Sequence, residues 1–411
     1  MQTVISTGQK RAVTLQMLQQ GAQGFDAKIE ADAKLGRGFV FTPVPEGAPV
    51  QHVVLTGATG FLGVHVLAAF LRPGGPRITC LTRAADNDAA RQRVLAALED
   101  TGAEGLNLSS LTVLAHDLSR PVQDTPGLLP RIAQADTIVN CAARVNFTDR
   151  YIQARGANVM SLRHLLHLAS LGMRMHHVSS VAVFSPHMFN RCEVTEDTRP
   201  RIGAFSAAQG YCQTKLAAEL MLREAEKAGL QSTIYRPGLI GWGSQTGHGN
   251  PADFLTHFIT GSIRIGALPN IGIRLSIAPV DYVAGAIVST VMQGTSETEA
   301  LHLVGEHALS MRELSDELSK VGAPVELVPY ETWLARIDAD TDSPLKALSL
   351  LLPPDFPLCP AARTPSLLDG MAADTGPRLS DHITRANLRQ SSLPQTGQGL
   401  NFQDFLKRAL T

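Results

Sequence analysis

Residues Gln51 to Gly63 read QHVVLTGATGFLG, a short apolar strand that runs straight into glycines at 57, 60 and 63 and then into VHVLAAFL. A strand, three spaced glycines and a helix are how a chain receives a dinucleotide pyrophosphate. Gly57 takes the tight turn, Gly60 lets backbone approach the phosphates, and Gly63 lets the helix pack close to the strand. The helix then directs its free amide groups and the positive end of its dipole at the anion. Outward from this turn, strand and helix signals alternate to about Gly241, with VVLTG, ITCLTR, LTVLAHD, TIVNCAA, MHHVSS and STIYRPG as successive strands. The alternation predicts an α/β fold, a Rossmann-type doubly wound parallel sheet with ligands at the carboxyl ends of its strands.

The same pattern divides the chain. Residues 1–50 form an N-terminal segment, with an amphipathic helix over roughly Lys10 to Lys34 and a Pro-rich connector, TPVPEGAP; residues 51–241 form the dinucleotide-binding domain. Residues 242–411 form a smaller, mainly C-terminal substrate-binding region, with room for strand or helix returns to the sheet. Within it, the proline density of LSLLLPPDFPLCP forbids a long helix between Ala339 and Pro377 and predicts a packed excursion, with a lid or docking surface as the alternative.

The chemistry lies downstream, in GYCQTKLAAELML. Tyr211 and Lys215 are one helical turn apart and share a face. A phenol titrates near pH ~10 in water, and an ammonium one turn away is expected to stabilise the phenolate and make Tyr211 a usable acid. HHVSSVAVF adds Ser179 and Ser180 where a parallel strand would end, so hydroxyl, phenol and ammonium together predict a proton relay beside a nicotinamide. Cys212, next to Tyr211, is read as a small helix residue turned away from the Tyr-Lys stripe. At the end of the second strand stands Arg83, where a fold selecting NAD would place a carboxylate for the ribose 2′-hydroxyl; the first carboxylate comes only at Asp86. A guanidinium suits a 2′-phosphate, so the expected cofactor is NADPH.

Taken together, these segments resemble the extended short-chain dehydrogenase/reductases and, among them, the thioester reductase domains. Those domains release products from nonribosomal peptide and polyketide synthetases and form the reductase part of carboxylic acid reductases. The resemblance runs from about Val53 to the C-terminus. It is carried by TGATGFLG, LTRA, HDLS, NCAARVNF, ANV, VSSVAV, YCQTK, YRPGLIGWGSQTG, APVDYVAGAIV and PYETWL. It implies cofactor contacts from Thr56, Gly57, Thr59, Gly60, Phe61, Leu62, Gly63, Arg83, Arg93, Asp117, Leu118, Asn140, Ala142, Asn158, Tyr211, Lys215, Pro237 and Gly238. It also implies catalysis by Ser180, Tyr211 and Lys215 on a thioester carried by the phosphopantetheine arm of an acyl or peptidyl carrier protein. The product would be an aldehyde, with onward reduction to an alcohol left open. The chain departs from the family where His116 replaces a common glycine and Ser180 a common threonine; a serine hydroxyl can make the same hydrogen bonds. The same fold and triad also serve fatty acyl reductases, hydroxysteroid dehydrogenases and sugar-nucleotide epimerases, and a binding-only NADP sensor is the reading from another class.

Bulk properties suit such an enzyme. The chain has 411 residues, 44% of them hydrophobic, and a net charge of −1, which argues for a well-buried globular protein without the strongly basic surface of a nucleic-acid binder. No apolar run approaches the ~18 to 20 residues of a membrane helix, and MQTVISTGQKRAV lacks the apolar core of a secretion signal, so a cytoplasmic enzyme is expected. Five scattered cysteines, Cys80, Cys141, Cys192, Cys212 and Cys359, predict neither a metal site nor a disulfide framework. The short leader suggests either a stand-alone reductase or an excised terminal domain.

Overall fold

The computed structural model describes residues 25–36, 38–45, 47–147, 149–186, 188–203, 210–294, 300–306, 308–348, 352, 368–389 and 400–410. The strands in chain order are β1 (His52–Thr56), β2 (Arg77–Thr82), β3 (Leu111–Ala115), β4 (Thr137–Asn140), β5 (Arg174–Val178), β6 (Glu193–Val194) and β7 (Ser232–Pro237). They continue with β8 (Leu239–Gly241), β9 (Ala267–Pro269), β10 (Arg274–Pro279), β11 (Ala300–Leu303), β12 (Ala308–Ser310), β13 (Glu326–Val328) and β14 (Arg378–Leu379).

Seven of them form one parallel sheet in the order β11-β7-β5-β4-β1-β2-β3. Every residue of β1 is buried, as a strand covered by helices on both faces requires. Side chains alternate between the two faces. Val53 and Leu55 join a core with Val66 and Leu67 of the Phe61–Phe70 helix and Val283 and Ile287 of the Val280–Gln293 helix. Val54 joins Leu165 and Leu166 of the Ser161–Ala169 helix and Leu216 and Met221 of the Gly210–Lys227 helix. The chain winds outward from β1 to β3, then returns to β4 and winds the other way. The reversal therefore lies between β1 and β4, where Thr56 faces Asn140 in register, and a crevice opens at such a switch point.

β11 and the Val280–Gln293 helix come from beyond Gly241, yet β11 pairs with β7 and completes the sheet. The smaller unit contains β10 between β8 and β12, the β9–β13 pair, and a core around Trp242, Phe258 and Trp333. Trp242 stacks on Phe405 at 4.0 Å, which anchors the C-terminal Phe402–Ala409 helix. At the N-terminus a helix spans Phe25–Ala33; the expected helix begins at Lys10, and residues 10–24 lie outside the described residues. Asp32 accepts hydrogen bonds from Tyr151 Oη at 2.7 Å and from Arg155 Nε at 2.5 Å, which ties this segment to the domain. Residues 349–351 and 353–367 of the excursion between Ala339 and Pro377, Cys359 among them, lie outside the described residues, and the lid or docking reading of LSLLLPPDFPLCP falls largely on them. No helix among the described residues is long and apolar enough to cross a membrane.

Candidate active site

The glycine turn sits at the switch point, and its shape depends on missing atoms. Gly57 has φ 77°, and a Cβ there would lie 2.6 Å from the Ala142 amide nitrogen; a Cβ on Gly63 would lie 2.0 Å from the Gly57 carbonyl oxygen. Only glycine lets the turn, the end of β4 and the Phe61–Phe70 helix approach so closely. Three of the expected cofactor residues brace this cradle with their side chains. Thr56 Oγ1 donates to Asn140 Oδ1 at 2.7 Å, which also accepts from the Ala142 amide at 3.2 Å, while Asn140 Nδ2 reaches His177 at 3.1 Å. Asn158 accepts from the Arg144 amide at 2.7 Å and donates to the Arg144 carbonyl and Thr214, fastening the loop after β4 to the Gly210–Lys227 helix. The side chains of Asn140 and Asn158 are thus occupied within the protein.

At the end of β2, Arg83 is exposed, and its carbonyl accepts from Arg93. Asp86 is turned to another task, capping the Asn87–Thr101 helix by accepting from the Ala89 amide at 2.8 Å. Hydrogen bonds from Ser119, aided by the positive charges of Arg83 and Arg120 and opposed by partial desolvation, hold the Asp117 carboxyl below its ordinary range. Leu118 follows, half-buried, its carbonyl bonded to His164. His116 is buried against Thr125, and burial lowers its pKa, so it is neutral.

A cavity of about 380 Å³ joins the two units. Gly60, Phe61, Leu62 and Gly63 line it, as do Ser180, Tyr211, Lys215, Pro237 and Gly238; Thr56, Gly57, Thr59, Arg83, Arg93, Asp117, Leu118, Asn140, Ala142 and Asn158 do not. The three expected catalytic residues therefore meet in one wall, close to the glycine turn. Ser180 Oγ, at the end of β5, accepts from the Ala182 amide at 3.1 Å and bonds the Tyr211 hydroxyl. Lys215 Nζ donates to the Val178 carbonyl at 2.7 Å and lies 5.9 Å from the Tyr211 ring centroid.

The expected electrostatics are reversed. Burial pushes the Tyr211 phenol up, Cys212 adds to the rise, and only the Ser180 bond pulls the other way. Burial also brings the Lys215 ammonium down to about 8, opposed by Cys141 and Glu219. For both groups desolvation is the largest cause, and neither shift draws on the other group. The phenol accordingly keeps its proton at neutral pH, as a proton donor must. Cys212 is among the residues that line the cavity, as is Cys141; burial lifts both thiols to about 12 and leaves them unreactive.

Sequence reasoning missed a buried charged joint. Glu219, one turn beyond Lys215, accepts from Ser179 Oγ at 2.5 Å and from Arg236 Nη2 at 2.9 Å, and both charged side chains are at most 1% exposed. Arg236 also donates to the carbonyls of Glu196 and Thr198 at 3.2 Å, and its neighbour His302 bonds the Ser380 carbonyl at 2.7 Å. The signal was present: Tyr211, Lys215 and Glu219 recur every fourth residue, and an arginine precedes Pro237. Asp253, a further residue of the cavity lining, also went unremarked. It caps the Phe254–Arg264 helix by accepting from the Thr256 amide at 2.7 Å, and is lifted by burial to about 6. No cluster of three potential metal ligands occurs among the described residues.

The chain is similar to known proteins. Residues 55–287 match the family model described as Male sterility protein, an NAD-binding domain. The large subunit of L-2-aminoadipate reductase from Eremothecium gossypii is 30% identical over 81% of this chain and 26% of that protein. The aldehyde reductase lnaA of Aspergillus flavus is 31% identical over 78% of this chain and 33% of that protein. The chain thus spans between a quarter and a third of the length of these curated relatives. Among solved structures, the terminal R domain of the myxalamid PKS-NRPS pathway is 28% identical and superposes with a TM-score of 0.80, covering 94% of this chain and 97% of that one.

Proposed function

From the premise that the chain belongs to the Male sterility protein family and, within the extended short-chain dehydrogenase/reductases, to the thioester reductase domains, we propose that it reduces a carrier-bound acyl or peptidyl thioester to an aldehyde with NADPH. The observation that carries this reading is the meeting of Ser180, Tyr211 and Lys215 in one cavity with the glycine turn. A nicotinamide dinucleotide fits that turn, because the two positions where a Cβ would collide with backbone are both glycine. When bound, the cofactor supplies a hydride to the carbonyl carbon.

The protein's own residues handle the oxygen. Ser180 and Tyr211 offer hydroxyl donors to the charge that grows there as the carbonyl is reduced. Tyr211, kept protonated by burial, transfers its proton to that oxygen. Lys215, tied to the Val178 carbonyl, keeps a cation beside the phenol as the proton leaves; with a pKa of about 8 it is mostly charged at neutrality and loses that charge as pH rises through 8. The hemithioacetal collapses to aldehyde and free thiol. Support for NADPH comes from exposed Arg83, with Arg93 bonded to its carbonyl and Asp86 committed to a helix cap. The names of the relatives, a nonribosomal peptide synthetase of Aspergillus flavus among them, support a carrier protein as partner.

The test follows NADPH oxidation with carrier-bound, pantetheine-bound and free-acid forms of one substrate. The carrier-bound form should have the highest kcat/KM, since remote binding energy holds the carbonyl in place, and the free acid should not react. Reduction of the acid without ATP, or no reduction of any thioester, overturns the proposal.

A further inference from the structure

Three side chains of the Gly210–Lys227 helix hold three consecutive residues at the end of β5. Tyr211 bonds the Ser180 hydroxyl, Lys215 Nζ donates to the Val178 carbonyl at 2.7 Å, and Glu219 Oε1 accepts from Ser179 Oγ at 2.5 Å. Tyr211, Lys215 and Glu219 recur every fourth residue and so share one helix face. The first two tethers involve the groups that handle the substrate oxygen. The third lies away from it, with Ser179 and Glu219 each 1% exposed. Glu219 is held in turn from the neighbouring strand β7, where Arg236 donates to its two oxygens through Nε at 3.1 Å and Nη2 at 2.9 Å. The Ser179 amide donates to the Tyr235 carbonyl of that strand at 2.7 Å. Ser179 is thus fixed by backbone and side chain, and the residues on either side of it are the two that grip Lys215 and Tyr211. Lys215 has four ionisable neighbours: Tyr211 and Glu219 on its own helix, Cys141 after β4 and His177 on β5. Burial keeps the phenol, the thiol and the imidazole neutral near pH 7, so Glu219 supplies the charge that favours the ammonium.

We infer that Glu219 is a positioning residue for the reduction: through Ser179 it sets the end of β5 against the Tyr211–Lys215 stripe, so that the Ser180 hydroxyl and the Tyr211 phenol meet at one carbonyl oxygen. The inference rests on the thioester reduction proposed above and adds a residue to it. Glu219 touches neither substrate nor cofactor in this account. It acts through Ser179, whose hydroxyl is spent on the tether, and through its charge on Lys215.

The experiment uses the full chain and a pantetheine thioester that the wild type reduces. Ser179→Ala removes the tether and leaves the Glu219–Arg236 pair whole. Its kcat should fall roughly 10- to 100-fold, the scale of a misplaced reacting group, with KM and NADPH affinity within about twofold of wild type. Ser179→Thr restores a hydroxyl and should recover most of that loss. Glu219→Gln, assayed below its melting temperature, should move the alkaline limb of the kcat profile to lower pH, because Lys215 then gives up its proton more readily. In Ser179→Ala, which keeps the carboxylate, that limb should stay in place. A Ser179→Ala protein with wild-type kcat overturns the inference, as does one that loses kcat and NADPH affinity together. So does a folded Ser179→Thr protein as slow as the alanine variant, or an alkaline limb unmoved in Glu219→Gln; should Glu219→Gln not fold, the two serine variants decide alone. In each of these outcomes thioester reduction itself still stands, whereas a wild type inert to every thioester would remove both.

Discussion

The two walls of the cavity are built on different principles. The wall at the ends of β1, β4 and β5 is set by backbone: Gly57 and Gly63 leave no space for a side chain, and Thr56, Asn140 and Asn158 fasten neighbouring strand ends and loops to one another. The wall from the smaller unit, with Phe254, Leu255 and Met371, is set by side chains packed over the Trp242, Phe258 and Trp333 core. A wall made of backbone can serve a constant partner such as a dinucleotide. One made of side chains can be reshaped for a different acyl group without disturbing the first. The Glu219–Arg236 pair joins the two, because Glu219 holds Ser179 of the catalytic strand while Arg236 holds the carbonyls of Glu196 and Thr198, and β6 beside them pairs with β14.

The sharpest way to break the comparison is at the backbone wall. Tyr211→Phe removes the proton donor while leaving the glycine cradle whole. Thioester reduction should fall by roughly 10² to 10⁴, the usual contribution of a positioned general acid, with NADPH affinity by fluorescence titration almost unchanged. Turnover within a few-fold of wild type would take the proton step away from Tyr211.

The joint comes next. Glu219→Gln leaves the Arg236 guanidinium buried without its counter-charge, and such a change costs roughly 3 to 5 kcal/mol of folding stability. Replacing both, as Glu219→Gln with Arg236→Met, should recover part of that loss, which denaturant melts of the single and double variants would measure. A single variant as stable as wild type would mean that the two walls are held together elsewhere.

The smallest effect is expected at the rim. Arg83→Ala should weaken NADPH by about 1.5 to 3 kcal/mol, one to two decades in affinity, and leave NADH largely unaffected. Equal affinities for the two cofactors in the wild type would leave Arg83 without that role and limit the backbone wall to binding nicotinamide dinucleotides in general.

Much of the backbone wall was legible in order along the chain. Glycines at 57, 60 and 63 after an apolar run, and Tyr211 four residues before Lys215, are local patterns whose geometry follows from the pitch of a helix and the absence of a Cβ. Six of the seven strands of the sheet could be read as apolar runs ending in polar residues. The seventh could not: β11 is the four-residue ALHL, and nothing in so short a run says that it pairs with β7 some sixty residues earlier.

What the sequence by itself determined is therefore the fold class and the dinucleotide turn, with Tyr211 and Lys215 as candidates on one helix face, because each rests on spacing within a few residues. The tertiary structure decided the rest. The Tyr211 phenol is pushed up rather than down because burial, which depends on residues far apart in the chain, outweighs a neighbour one turn away. Cys212 reaches the cavity, Glu219 finds Arg236, and Asp253 comes to share a cavity with Tyr211 only once the sheet and the smaller unit are packed together. Charge and solvation act through space and not along the chain, so these relations appear only when the molecule is folded.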